Sequence, residues 1–570
     1  MPGIALRLGV AFVGEPADVP MMPWRQQLLA ALTAAVVCVV LFAPVALQVI
    51  PQYRLWGDDF ALARSSSPAY VGPGDWTKWF TEGYSGYFDN YPDWPAIGSA
   101  FMRPVANAAF YMAGTASGVV GEGAYLSVNY VALLLTVFGS GLLLASVRGI
   151  RWWQAAGPAV AVGLSPAHQL VMFEAAFLTN ALALMFCVAS LAVLGLGRHV
   201  TPTKLMLAAT LQILAVASHE IAVVMPVVSA LMIRATSPVR VRLRAFWPLS
   251  LPVIAFLAGR LVLQVPDGVY ALRGVGAGTW IKRVLAYLFG PLVPLDIHRA
   301  MEIATHGGDA RVIGAYVLTW ATGLLAAGVL GAGLLRPGTR RISALFIAAI
   351  FTARIPGLLG GMQVRFGALS LVVIIVAVLW LAPTNRRWVT QVFVAGLLVS
   401  QALMFSSKVV DRMDIRLQEI AAAGAFVDAT RAAVRETLPS MLVLVNDRVA
   451  AHGSSALLEV VAWPRGDVRL VVLSGYAGEH ASEGAQSALT SAEGMLTFTQ
   501  RLGQGQRLAF WGNIPQPGVP NQGFIYQMEP TQGSEQGGRY LRAAGPIVEG
   551  RTLVVGFDPS TGLMREPTLY

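Results

Sequence analysis

Trp56-Gly57-Asp58-Asp59-Phe60 is the stretch on which the reading of this chain turns. It follows the first long apolar run, residues 26–50, and opens a polar loop, 51–103, that closes at Arg103-Pro104. The loop holds 13 aromatics in 53 residues, against 9% in the whole chain. Trp and Tyr sit well at a membrane–water boundary, so this density predicts a loop lying on the membrane surface. Adjacent carboxylates repel, and partial burial adds to that, so one of Asp58 and Asp59 has a raised pKa and suits base work. The pair could also hold a divalent cation against a phosphate. The plain structural alternative is an N-cap on a helix beginning Phe60-Ala-Leu-Ala-Arg64, worth about 1 kcal/mol.

The surrounding composition sets the class. Of 570 residues, 55% are hydrophobic and only 13% charged. A soluble globular protein carries about 25% charged residues. The balance predicts an α-helical polytopic membrane protein. The net charge of +10 does not point to nucleic acid, because Arg and Lys cluster in short connections between apolar runs, the positive-inside pattern. The two cysteines, Cys38 and Cys187, lie inside apolar runs and predict no disulfide.

A crossing needs roughly 20 apolar residues. The runs 26–50, 124–147, 152–167, 178–197, 204–218, 221–234, 247–265, 312–335, 342–360, 366–382 and 388–406 give about 11 transmembrane helices. Residues 1–25 read as a cytoplasmic tail before a retained signal-anchor helix. Arg148 and Arg151, then Arg198 and Lys204, then Arg234 to Arg244, alternate with connections free of Lys and Arg: His168 to Phe177 and Ser218-His219-Glu220. That asymmetry places loop 51–103 and the C-terminus outside. The expected membrane is the plasma (inner) membrane. Residues 407–570 change character. A helical period over 409–437 precedes strands at Met441–Val445, Val468–Leu473 and Thr552–Phe557, which predicts an extracytoplasmic α/β domain. The expected domains are therefore 1–25, 26–406 and 407–570.

Several ionisable residues fall on the outer side in this arrangement. Asp58, Asp59, Arg103, His168, Glu174, His219, Glu220 and Arg365 all do so, and acids contribute little to orientation. Arg103 and Arg365 offer the forked donors that bind phosphate, although an interfacial Arg can also simply snorkel. Glu220 beside lipid needs a cavity or a partner, as does Arg354 within its span. Convergent acids and bases at a membrane surface fit a reaction on a lipid-linked phosphate, and the loop's aromatic faces suit sugar rings. The chain holds no GxxxxGK[ST], HExxH, CxxC or GxSxG motif.

These motifs, in this order, resemble the GT-C glycosyltransferases, among them the protein O-mannosyltransferases and lipid A aminoarabinose transferases. Trp56-Gly-Asp58-Asp59-Phe60 resembles the acidic motif of the first outer loop, and Phe101-Met-Arg103-Pro104 an Arg-Pro that closes it. Ala217-Ser-His219-Glu220-Ile-Ala-Val-Val-Met-Pro226 is similar to a Lys-Glu or Lys-Gly segment, with His219 in place of Lys. Gln363-Val-Arg365-Phe366 resembles a late Arg-aromatic motif. The resemblance covers about 26–406. It implies a GT-C-like membrane domain, a polyprenyl-phosphate-linked sugar donor, inversion at the anomeric carbon and a first-loop Asp as base. That base maps to Asp58 or Asp59, with Asp58 preferred. The acceptor is a glycan, lipid or protein, and membrane lipid is the surrounding partner. Some members use a divalent metal (Mg or Mn) and others none. Two other classes fit the composition: a transporter or flippase of a lipid-linked glycan, and an inactive scaffold of the same fold.

Overall fold

The structure, a computed structural model, describes residues 22–55, 59, 76, 79, 103–147, 149–195, 200–236, 248–251, 253–256, 258, 292, 310–359, 367–382, 387–445, 468–472, 486–502, 525–530, 539–556 and 566–570. Helix α1, Trp24–Gln52, has 29 residues. At 1.5 Å per residue it exceeds the roughly 30 Å of a bilayer core. Ala30, Ala34, Cys38, Phe42, Val45 and Val49 form its buried stripe, while Val36, Val40 and Leu47 face outward. A helix apolar on both faces packs on protein with one and meets lipid with the other.

Helix α2, Pro104–Val120, lies where the sequence reading placed no element. Proline at its first position suits a helix start. Its first turn is tied to the site end of the bundle by a bond from the Val105 N–H to the Ala217 carbonyl, at 3.2 Å. At its other end Gly121, with φ +82°, turns the chain into α3, Gly123–Ala145. A Cβ on Gly123 would lie 2.1 Å from the Ile50 carbonyl, so α3 begins where α1 finishes. Both ends of α2 thus sit at one end of the bundle. The helix lies across that end, carries no charged residue, and adds no crossing. It buries Ala106, Asn107 and Phe110 and turns Met112 and Val119 outward.

The return of α3 along α1 is close. A Cβ on Gly141 would stand 2.7 Å from the Ala31 Cα, so any side chain there would wedge the two helices apart. Helix α4, Trp152–Gly163, is shorter than the expected span 152–167. The chain then makes three 3-10 turns, Pro166–His168, Leu170–Met172 and Ala175–Phe177, before α5, Leu178–Leu194. Helix α6, Pro202–Val216, a 3-10 segment, Glu220–Val224, and α7, Met225–Thr236, follow. The later helices are α8, Ala310–Leu335, α9, Arg340–Leu359, α10, Ala368–Leu381, and α11, Arg387–Phe405. Helix α10 is buried nearly all round, the middle of the bundle. Five described stretches are long and apolar enough to cross a bilayer: Trp24–Gln52, Gly123–Ala145, Ala175–Leu194, Ala310–Leu335 and Arg387–Thr437. The chain is a mostly helical membrane protein. The expected run 247–265 is described only in part.

A π-helical turn, Ser406–Val410, joins α11 to α12, Met413–Thr437. The strands are β1, Met441–Val445, β2, Arg469–Val472, β3, Gln486–Ala492, β4, Met495–Leu502, β5, Ile525–Pro530, β6, Arg539–Pro546, β7, Thr552–Gly556, and β8, Thr568–Leu569. One sheet runs β2-β1-β7-β8, with β1 parallel to both neighbours. The other runs β3-β4-β6-β5 and is antiparallel. Every residue of β1 is buried, as a central parallel strand requires. Met441, Val443 and Val445 pack toward Leu496 and Phe498 of the second sheet. Leu442 and Leu444 pack in the cluster that holds Phe426 and Val427 of α12. Polar Thr, Ser and Gln in β3 and β4 hide the apolar alternation, and the sequence reading passed over that sheet.

Candidate functional site

The close of α1, the two short-turn regions and the start of α2 gather at one end of the bundle. Tyr53 follows directly on α1, and its hydroxyl donates to Asp59. The same hydroxyl accepts the Ala175 N–H at 2.7 Å. The other Asp59 oxygen accepts the Ala176 N–H at 2.6 Å. These amides belong to the first turn of a helical segment, where N–H groups lack partners within the helix. Asp59 is fully buried. It therefore ties the first loop to the turn ahead of α5. Burial, then the Asp59 charge and hydrogen bond, push the Tyr53 hydroxyl well above its usual value, so it stays a donor.

Glu174 stands beside this knot, and its charge also raises Tyr53. The Glu174 carbonyl accepts Asn129 Nδ2 at 2.8 Å, and the Val171 carbonyl accepts the same nitrogen at 2.9 Å. Asn129 thus clamps the turns onto α3. Glu122 accepts the Leu55 N–H at 2.8 Å. Sequence reasoning missed Tyr53, Asn129 and Glu122. The available signal was a lone Asn near the start of an apolar run.

A second cluster forms where α2 begins. Arg103 Nη2 donates to Glu220 Oε1 at 2.8 Å and Arg103 Nε to Glu220 Oε2 at 3.2 Å, a two-point fork. His219 Nδ1 accepts the Ile221 N–H at 3.2 Å. Its Nε2 lies 3.4 Å from Arg103 Nη2 and its Nδ1 3.5 Å from Glu220 Oε2, so Arg103 and His219 stand side by side at one carboxylate. Burial alone would raise the Glu220 carboxyl, but Arg103, then His219, outweigh it and hold the acid well below the usual carboxylate range. Its folded value lies below its unfolded one. The pair's stabilisation is therefore present at neutral pH and is lost as the pH falls through that depressed value.

His168 ends the 3-10 turn Pro166–His168. It is 3% exposed and lines a cleft with Asn180, Ile221 and Leu369. Burial lowers its pKa from 6.5 to about 4, against a backbone hydrogen bond at Val162 that raises it. Below about pH 6.5 the unfolded chain takes up a proton that the folded chain refuses until about 4. Stability must therefore rise with pH across this window and drain away as the pH falls through it. The shift to about 4 corresponds to about 3 kcal/mol. Thermal melts of the wild type at pH 4.5 and 6.5 are expected to differ clearly, and those of His168→Leu much less. Equal sensitivity in both proteins would rule this out.

Asp58 and Arg365 lie outside the described residues, so no contact is assigned to them. Arg354 has protein partners rather than an open cavity: its Nε donates to Ser370 Oγ at 3.3 Å and its Nη2 to the Leu292 carbonyl at 3.4 Å. Among the described residues no three or more His, Cys, Asp or Glu side chains gather as a metal site.

No protein-family model and no curated protein matches the sequence. Among solved structures, the chain is similar to ArnT from Cupriavidus metallidurans bound to undecaprenyl phosphate, at 14% identity over 76% of this chain and 86% of that chain, with a TM-score of 0.39. It is also similar to the archaeal oligosaccharyltransferase AglB from Archaeoglobus fulgidus, in complex with an inhibitory peptide and a dolichol-phosphate. That likeness has 13% identity, spans 78% of this chain and 64% of that chain, and has a TM-score of 0.37.

Proposed function

We propose that this chain is a membrane glycosyltransferase that moves a sugar from a polyprenyl-phosphate donor to an extracytoplasmic glycan, lipid or protein. The observation that carries the reading is the meeting of separate segments at one end of the bundle. Arg103 and His219 stand side by side there, and the acidic motif of the first loop is anchored at the same end through Asp59. In this reading that end is the outer face, the N-terminus is cytoplasmic, and the strands after α12 belong to an extracytoplasmic domain.

Asp58 is the base and Asp59 its anchor. Asp59 has both oxygens engaged and no exposed surface, whereas a base must reach the acceptor hydroxyl. Asp58 withdraws the hydroxyl proton as the acceptor oxygen attacks the anomeric carbon. The bond from that carbon to the phosphate oxygen breaks, and the configuration inverts. Polyprenyl phosphate leaves with the bonding electrons. Arg103 Nη2 and His219 Nε2 take up the charge that develops on it, and Arg365 is assigned the same task from the sequence. Glu220 holds the Arg103 fork in place. Asp59 fits a divalent metal poorly, since its oxygens already accept hydrogen bonds, and no step here passes through one.

The test is a transfer assay. Purified protein in lipid is given radiolabelled polyprenyl-phosphate sugars and a membrane glycan extract, beside an Asp58→Asn/Asp59→Asn double variant. Label is expected to move only with the unmutated protein. Movement at equal rates with both would refute the assigned base.

A further inference from the structure

Tyr53-Arg54-Leu55 is all that stands between α1 and the acidic motif, and Leu55 lies three residues ahead of Asp58 in the sequence. Three elements hold this stretch. Tyr53 is bonded to Asp59 and to the Ala175 N–H ahead of α5. The Leu55 N–H donates to Glu122 Oε2 at 2.8 Å, and Glu122 caps the start of α3. The third hold comes from the far part of the chain. A Cβ on Gly424 of α12 would lie 2.8 Å from Arg54 Cγ and 3.5 Å from Arg54 Cβ, so the helix and the Arg54 stem meet with no side chain between them. Arg54, Leu55 and Glu122 face Gly424, Val427 and Asp428 across one narrow seam.

The sequence of α12 suits it to press on this stretch. Ile420, Ala423, Gly424, Val427 and Val434 recur at helical spacing and are buried. Ile420, Ala423, Phe426 and Val427 belong to the same apolar cluster as Val49, Tyr53 and Leu55. That cluster runs on through Leu442 and Leu444 of β1 to Leu553 and Val555 of β7. The parallel sheet, α12 and the end of α1 therefore share one core. Close-packed interiors transmit strain. A misplacement of about 1 Å that originates far from the chemistry can cost about 10²-fold in rate.

We propose that the C-terminal domain positions the base-bearing loop. In this proposal α12 sets Leu55 through Gly424, Glu122 sets it from the corner between α2 and α3, and together they aim Asp58 at the acceptor hydroxyl. Glu122 and Gly424 are positioning residues and touch no substrate. The proposal rests on Asp58 being the base of the transfer reaction, and it gives the domain after α11 a task at the far end of the membrane bundle.

The experiment uses the full chain in lipid nanodiscs. It reads hydrogen exchange of the first-loop peptides, beside kcat and KM with whichever radiolabelled donor is active in the transfer assay. Glu122→Ala leaves the Leu55 N–H without its acceptor, whereas Glu122→Gln keeps an amide oxygen for it. Exchange at Leu55 is expected to speed up about tenfold in Glu122→Ala and to stay at the wild-type rate in Glu122→Gln. Gly424→Leu removes a helix-interior glycine, so it does not weaken α12 itself. Arg54 Cβ cannot swing aside as the rest of its stem can, and the leucine displaces the loop. It should speed first-loop exchange and lower kcat by about 10- to 100-fold, with KM within about twofold of wild type. Exchange in β1 and β7 should not change, which separates a shifted loop from an unfolded domain. Arg54→Ala/Gly424→Leu should recover kcat to within about fivefold of wild type, since the shortened stem makes room for the leucine. Wild-type kcat and loop exchange in Gly424→Leu would overturn the proposal, and so would a deficit that Arg54→Ala leaves untouched. Exchange needs no substrate. A loosened loop in a protein that transfers no label would sink the transfer reaction and keep the coupling, whereas unchanged exchange in an active enzyme would sink the coupling alone.

Discussion

Asp58→Asn is expected to cut sugar transfer by about 10²–10⁴-fold, the range that a positioned general base contributes. Its melting temperature should stay at the wild-type value. Asp59→Asn should behave differently. The amide keeps one acceptor oxygen and turns an N–H₂ toward either the Tyr53 hydroxyl or the Ala176 N–H, both of which need an acceptor. One buried donor is then stranded, at about 1–3 kcal/mol. Asp59→Asn should therefore lower the melting temperature as well as the rate. Two variants with the same profile would mean that the neighbouring acids share one role, and the division into base and anchor would be wrong. Tyr53→Phe gives an independent check, since it removes one Asp59 partner and touches no substrate in the mechanism. It should reproduce the Asp59→Asn melt.

The second large effect falls on Arg103. Arg103→Met removes the forked partner of Glu220 and leaves its carboxylate uncompensated. Breaking a fully buried pair costs about 3–5 kcal/mol. The Glu220 side chain is 29% exposed, so water recovers part of that loss. Transfer should fall further than stability, by about 10²–10³-fold, as when one donor to a developing negative charge is deleted. The two contributions separate in the double variant Arg103→Met/Glu220→Met. With both charges gone, no carboxylate is stranded and the melting temperature should return toward wild type. Transfer should not return, because the donor facing the leaving phosphate is still missing. Recovery of both together would mean that Arg103 is a structural partner only.

The sequence carried the apolar runs because a crossing helix needs only length and apolarity, which are local properties. Strand β1 was readable for the same reason, as five apolar residues in a row. Helix α2 was not. It has no charge, much Ala and Gly, and a polar residue only at Asn107 on its buried face, so it looked like neither a crossing nor a loop. The charge pattern also set Arg103, His219 and Glu220 on a common side, and the structure brings those three into contact. It set His168 there as well, and His168 lines a cleft with Ile221 and Ala222. Sidedness fixes depth along the membrane normal and says nothing about lateral position. Only packing decides that, through the three short turns between α4 and α5. The Tyr53–Asp59–Ala176 knot had no signal at all, since a backbone N–H is present at every non-proline position.

The two anchors of this end share an arithmetic property. The bonds from Ala176 to Asp59 and from Arg103 to Glu220 each close over 117 residues of chain. Neither can form while the first loop is being made. The loop emerges from the ribosome long before Ala176, and its far end waits again until Glu220 exists. This end of the bundle is thus finished late in synthesis. Asp59 gains its Ala176 partner only after α4, and the Arg103–Glu220 fork closes only once five helices past the first, α2 to α6, have been laid down.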